Sequence, residues 1–161
     1  MRKFSLILLL YLNTTSGQVN HHYFFSPGIK LGYAFGENGG FVFGFEGSMT
    51  ATGAYGDDPI YGVVFNYDWI GEISTLHIGF EYIRYVGGVD IGPTFAWKNG
   101  QRYAGFSIIP FIGVLFHPYY NYTFLNGEFD LHEVGAYLKF PIQIDDHTFT
   151  WHRLRRYQQE Y

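Results

Sequence analysis

An all-β fold, an antiparallel up-and-down transmembrane β-barrel of about eight strands, is predicted by three observations. The first is alternation. From Ile73 to Tyr82 the even positions are Leu76, Ile78, Phe80 and Tyr82, and the odd positions are Thr75, His77, Gly79 and Glu81. A period of two is the signature of a strand with one apolar and one polar or small face. The second is the character of those faces. The apolar face is long and ends in aromatics, while the opposite face carries Gly, Ala, Thr and Ser with sparse charges, which suits a confined lumen better than a solvated surface. The third is composition. Aromatics make up 22% of the 161 residues and charged residues only 15%, against roughly 25% charged in soluble domains. Mean hydropathy is nevertheless −0.05, because in a membrane barrel only alternate residues face lipid.

The chain divides into three parts. Arg2 and Lys3 precede the apolar run Phe4 to Leu12, followed by Asn13, Thr14, Thr15, Ser16 and Gly17. Residues 1–17 read as a secretory signal peptide with a cleavage site near Gly17–Gln18. The run is shorter than the roughly 20 residues of a membrane-spanning helix. Residues 18–144 form the barrel domain. Residues 145–161 lose the alternation, carry Arg153, Arg155 and Arg156, and read as a polar C-terminal tail.

Within the barrel domain a short polar lead-in, Gln18 to Ser26, precedes a first strand near Gly28 to Phe35. Ile29, Leu31, Tyr33 and Phe35 share one face. Gly36 to Gly40 contains Asn38-Gly39, a hairpin signal because this dipeptide tolerates the positive φ of primed turns. The second strand sets Phe41, Phe43 and Phe45 against Val42, Gly44, Glu46 and Ser48. Gly53 to Pro59 is a turn cluster. The third strand sets Tyr61, Val63, Phe65, Tyr67 and Trp69 against Gly62, Val64, Asn66 and Asp68. Ile70 to Glu72 turns into the fourth strand, Ile73 to Tyr82, and Tyr85 to Gly88 turns into the fifth. There Val89, Ile91, Phe95 and Trp97 oppose Asp90, Gly92, Thr94 and Ala96, and Pro93 implies an edge, a bulge or a kink. Asn99-Gly100 is a second hairpin. The sixth strand, from near Arg102, is apolar on both faces where Ile109 and Phe111 fall. A turn at His117 to Asn121 is needed to divide a segment too long for one ordinary strand. A seventh strand then runs to about Leu125 and the last from about Leu131 to Ile142.

This parity turns Lys30, Glu46, His77, Glu81, Asp90, Glu133 and Lys139 inward. Ionisable groups in a low-dielectric interior need partners or water, and both signs are present, so an ion-pair network filling the lumen is expected. An eight-stranded barrel is just wide enough for side chains to fill. Tyr33, Phe35, Trp69, Tyr82, Tyr85 and Trp97 lie at strand ends and suit interfacial aromatic girdles. The net charge of −4 leaves no nucleic-acid footprint. Absence of cysteine excludes disulfides and thiolate metal sites.

The signal segment, the alternating runs Ile29-Lys30-Leu31-Gly32-Tyr33 and Leu76-His77-Ile78-Gly79-Phe80, and the final Tyr137-Leu138-Lys139-Phe140 together resemble the small eight-stranded bacterial outer-membrane β-barrels. The resemblance covers about Gly28 to Ile142. It implies location in the outer membrane of a Gram-negative-type envelope, contact with outer-membrane lipids, and insertion by the barrel-assembly machinery, for which the last strand looks like the recognition signal. The chain departs from the family in the polar tail after Phe140 and in its uniformly short loops.

No catalytic or cofactor signature appears. A lipid A deacylase of this class would need a His-x-Ser pair, and none occurs. A constellation such as His77 with Ser74 and Glu81 is unspecific. The histidines lack zinc spacing, and no phosphate-binding loop opens a helix. The sequence therefore implies a non-enzymatic barrel without cofactor or metal, structural or a narrow pore. The alternatives are a soluble periplasmic lipid-binding barrel and a membrane-embedded lipid-modifying enzyme. Oligomeric state is left open.

Overall fold

The computed structural model describes residues 22–36, 39–52, 58–126 and 130–144. The expected signal peptide and the tail from residue 145 lie outside these. The described chain forms β1 (His22–Phe35), β2 (Gly40–Thr52), β3 (Ile60–Ile70), β4 (Ile73–Arg84), β5 (Gly87–Lys98), β6 (Gln101–Ile112), β7 (Phe116–Leu125), β8 (Asp130–Lys139) and β9 (Ile142–Ile144). From β1 to β8 each strand pairs antiparallel with the next, and β8 closes on β1. The short β9 pairs with Tyr23 to Phe25 of β1 in the register that β8 holds with Gly28 to Phe35. It is thus the continuation of β8, interrupted where Pro141 and Pro27 bring no N–H to the ladder. The barrel has eight staves.

Its geometry follows from the register. Phe25 pairs with Met49, then the path runs through Val63, Phe80, Ile91, Ile108, Tyr122 and His132, and returns to β1 at Phe35. Closure displaces the path by ten residues, from 25 to 35. With a rise of about 3.3 Å and a strand spacing of about 4.8 Å, this shear gives a tilt of about 40° and a backbone radius of about 8 Å.

Three turns show how the sequence sets the boundaries. Asn99 and Gly100 both have positive φ, 50° and 78°, as a two-residue primed hairpin requires. The turn between β6 and β7 falls at residues 113–115, where Gly113 takes φ 134°. The expected turn at His117 to Asn121 is therefore corrected: those residues lie inside β7, with Pro118 facing outward opposite Ala136. The lead-in to residue 26 is also corrected, since β1 begins at His22 and pairs with β2 as far as Thr52. Pro93 makes no bulge. The β4–β5 ladder is interrupted at Gly92 and Pro93 and resumes in the same register.

The two faces are inverted relative to a soluble barrel. Large apolar side chains line the outside, among them Ile29, Phe45, Phe65, Phe80 and Ile91, all more than a third exposed. The buried set contains more polar and charged residues than apolar ones. The interior is layered along the axis. At the end formed by the hairpins after β1, β3, β5 and β7, buried Ala34, Val42, Ile70, Ile73, Ala96, Leu125 and Leu131 form an apolar cap. A polar belt follows. Beyond it Ile109, Phe111, Tyr119 and Tyr137 make a second apolar cluster, the reason β6 is apolar on both faces. A cavity occupies the other end, beside the start of β1.

Candidate functional site

The polar belt is a chain of contacts that runs across most of the staves. Lys30 of β1 is fully buried and places Nζ 2.8 Å from Asp68 Oδ2 of β3 and 3.0 Å from Glu133 Oε1 of β8. Its ammonium also stands over the Tyr119 ring, 4.8 Å from the centroid. Glu133 accepts hydrogen bonds from the Tyr119 hydroxyl and from Asn121 Nδ2 (3.1 Å). Thr123 donates to Asn121 Oδ1 at 3.2 Å and lies 2.6 Å from Ser107, which lies 2.5 Å from Thr94. Thr94 meets His77 Nδ1 at 2.9 Å, and His77 Nε2 sits 3.0 Å from both oxygens of Asp90. Every member reaches inward by the period-two parity of its strand, and opposite signs meet because adjacent staves are staggered.

A second group lies nearer the cavity. Lys139 Nζ is paired with Glu46 and stands 2.6 Å from Glu81 Oε1, above the rings of Phe111 and Tyr137. The structure thus places all seven inward ionisable residues in the interior, but divides them. Lys30 and Glu133 belong to one cluster, His77 and Asp90 to the belt's far end, and Glu46, Glu81 and Lys139 to the second. Asp68 is absent from the ionic set named from sequence, although it shares the inward parity of Asn66, which was the available signal. The roles of Tyr119 and Asn121 were hidden by the misplaced turn.

Glycines make room for these groups. A Cβ on Gly44 would overlap Asp68, and one on Gly79 would overlap Asp90. A Cβ on Gly32 would come within 2.6 Å of the Tyr119 hydroxyl. Asp68 and Asp90 rest on the bare backbone of the adjacent stave, and Tyr119 of β7 reaches across β8 to that of β1.

Thr94, His77 and Asp90 have the order hydroxyl, imidazole, carboxylate. All three are buried, and none of them lines the cavity. The sequence constellation of His77 with Ser74 and Glu81 does not assemble: Ser74 has the opposite parity, and Glu81 pairs with Lys139. Among the described residues no group of three or more His, Asp or Glu is arranged to hold a metal ion.

The cavity has a volume of about 240 Å³ and is lined in part by Glu81, Lys139, His117, Thr50, Ile60 and Ile83. Outside, Tyr33, Phe35, Trp69 and Trp97 lie toward the capped end and Tyr82 toward the cavity end, whereas Tyr85, expected in the girdle, sits in the turn between β4 and β5 and lines the cavity. The apolar ring traced by the register is broken at Tyr122 and His132, which bond to Asp130 (2.9 Å) and Tyr120 (2.6 Å).

No protein-family model and no curated protein matches this chain. A solved structure described as "De novo design of transmembrane beta-barrels" is similar over 73% of this chain and 95% of its own, with 10% identity and a TM-score of 0.39. At that score the likeness carries no weight in assigning fold or function.

Proposed function

We propose that the chain is a membrane-spanning β-barrel with a blocked lumen, a structural element of the outer membrane of a Gram-negative-type envelope and not an enzyme. One observation carries this reading: an exterior apolar except at Tyr122 and His132, set against a buried ionic interior. From Phe25 to Phe35 the outward face of β1 rises ten residues, which at the tilt above spans about 25 Å, the height of the apolar band of membrane barrels. In lipid every backbone polar group needs an internal partner, and a closed barrel supplies them all. Outer-membrane lipids are the partners of the exterior, and the barrel-assembly machinery is the partner in insertion.

The cap supports a blocked lumen over a narrow pore, because among the described residues Val42, Ile70 and Ile73 pack into an apolar layer at one end. A soluble lipid-binding barrel needs the opposite polarity, with an apolar interior for its ligand. A lipid-modifying enzyme needs its nucleophile within reach of substrate, and Thr94 is enclosed.

The test is electrophoretic mobility of membrane-extracted protein, boiled against unboiled, with its partition between membrane and soluble fractions. Membrane retention with a heat-dependent mobility change is expected. A soluble protein without that change would overturn the reading. Planar-bilayer recordings then separate the two lumen readings, and steady conductance would replace the blocked barrel by a pore.

A further inference from the structure

The cavity at the end opposite the cap has a distinct chemistry. Its volume of about 240 Å³ lies below the roughly 300–1,000 Å³ of drug-sized sites, so it admits a small ligand. Its inner wall holds Glu81 and Lys139, and Lys139 is shared between Glu81 and Glu46. Two carboxylates around one ammonium leave one negative charge in excess when all are ionised.

Two buried side-chain atoms of the lining have no hydrogen-bond partner among the described residues, Glu81 Oε2 and His117 Nδ1. Glu81 pairs through Oε1 only, and it is 1% exposed. His117 Nε2 donates to the Val114 carbonyl at 2.8 Å, so in the neutral ring Nδ1 is an acceptor. Both unused atoms therefore ask for a donor. A buried charged oxygen without a partner is costly; a neutral hydroxyl relieves that cost in part by donating, and a cation relieves it further because the bond is charge-assisted. Much of the remaining wall is apolar, with Phe24, Ile60 and Ile83 facing the space and Val114 at the exposed rim.

We propose that this cavity binds a small primary alkylammonium ion. Its ammonium group donates to Glu81 Oε2 and His117 Nδ1, and its chain lies against Phe24, Ile60 and Ile83. An ammonium has donors enough to serve both unused atoms, no acceptor to be left unpaired by them, and the charge that offsets the excess. The inference rests on the interior alone and does not depend on whether the outer face meets lipid.

The test uses the full chain folded in detergent micelles and titrated with n-hexylammonium, with 1-hexanol and hexanoate as probes of equal chain length. Isoleucine methyl resonances are recorded by NMR. Ile60 and Ile83 report the cavity, and outward Ile29 and Ile91 report entry of the probe into the micelle. Saturable shifts at Ile60 and Ile83 are expected with hexylammonium, at least tenfold tighter than with hexanol and absent with hexanoate. Glu81→Gln is expected to weaken hexylammonium at least tenfold. Ile60→Trp obstructs the cavity without touching the ion pairs, and its loss of the Ile83 shift decides the matter if the Glu81 variant does not fold. Equal response to the three probes, shifts confined to Ile29 and Ile91, or an Ile83 shift that survives Ile60→Trp would overturn the proposal.

Discussion

Replacing Lys30 by Met tests the ionic interior most directly. The side chain is buried without exposed area, and its ammonium serves both Asp68 at 2.8 Å and Glu133 at 3.0 Å. At an effective dielectric near 20, each such pair attracts by about 5–6 kcal/mol before desolvation is counted. Desolvation offsets most of that, and removing one partner of a buried pair costs about 3–5 kcal/mol because a charge is stranded. Here two carboxylates are stranded at once, so the upper end applies, about 5 kcal/mol. Asp68→Asn is the matched control. It leaves Lys30 with Glu133, removes the repulsion between the two carboxylates, and keeps a polar atom for Thr75, 3.4 Å from Asp68. Its cost is expected to be less than half that of Lys30→Met. Urea unfolding in lipid vesicles, read by the heat-dependent band shift, measures both. With a urea slope of about 1–3 kcal/mol per molar, Lys30→Met moves the midpoint down by about 2 M. A midpoint within about 0.3 M of the parent, or an equal loss in Asp68→Asn, would refute the view that one buried cation holds two carboxylates.

Three further outcomes are expected. Phe65→Lys, in the middle of the outward face, should cost about 2–4 kcal/mol in vesicle unfolding experiments, and no loss there would mean that this face does not meet lipid. Gly92→Ala should reduce the folded fraction on unheated gels, since its Cβ would overlap the Ile78 carbonyl, whereas Gly47→Ala meets only Phe25 at 3.8 Å and should fold normally; equal behaviour would contradict the packing. Ile73→Ala in the apolar cap should lower stability by about 2–5 kcal/mol, and a loss below about 0.5 kcal/mol in the same titration would show the cap to be loosely packed.

The faces of the strands were legible because their cause is local. Parity along Ile73 to Tyr82 or Phe41 to Ser48 is set by the pleat, and the pleat has a fixed period. Hairpins marked by Asn99-Gly100 were legible for the same reason. The turn before β7 was not. His117-Pro118 and Asn121 carry turn-forming residue types, yet Pro118 is accommodated on the outward face, and Gly113 takes the positive φ instead. The start of β1 was hidden by Ser26-Pro27, whose strand character comes from pairing with β2, a partner far along the chain. Which inward groups touch was equally beyond the pattern. Lys30 reaches Asp68 across 38 residues and Lys139 reaches Glu81 across 58, and such meetings depend on the shear of the closed sheet. The cap needed the same knowledge, since Val42, Ile70 and Leu131 share a layer only once the staves are staggered.

The glycines that receive Asp68, Asp90 and Tyr119 bear on how the barrel closes correctly. A slip of one residue between staves would turn every apolar side chain inward, and burial alone forbids it. A slip of two residues preserves both faces, so the alternating pattern is blind to it. Such an error would be the natural misassembly of a chain whose exterior is apolar nearly everywhere. At Gly44, Gly79 and Gly32, however, the bare backbone works as a keyway for one bulky neighbour. Displacing the strands by two residues would drive that neighbour against a side chain. Alternation thus decides which way each residue faces, and the keyed positions decide which residues stand side by side.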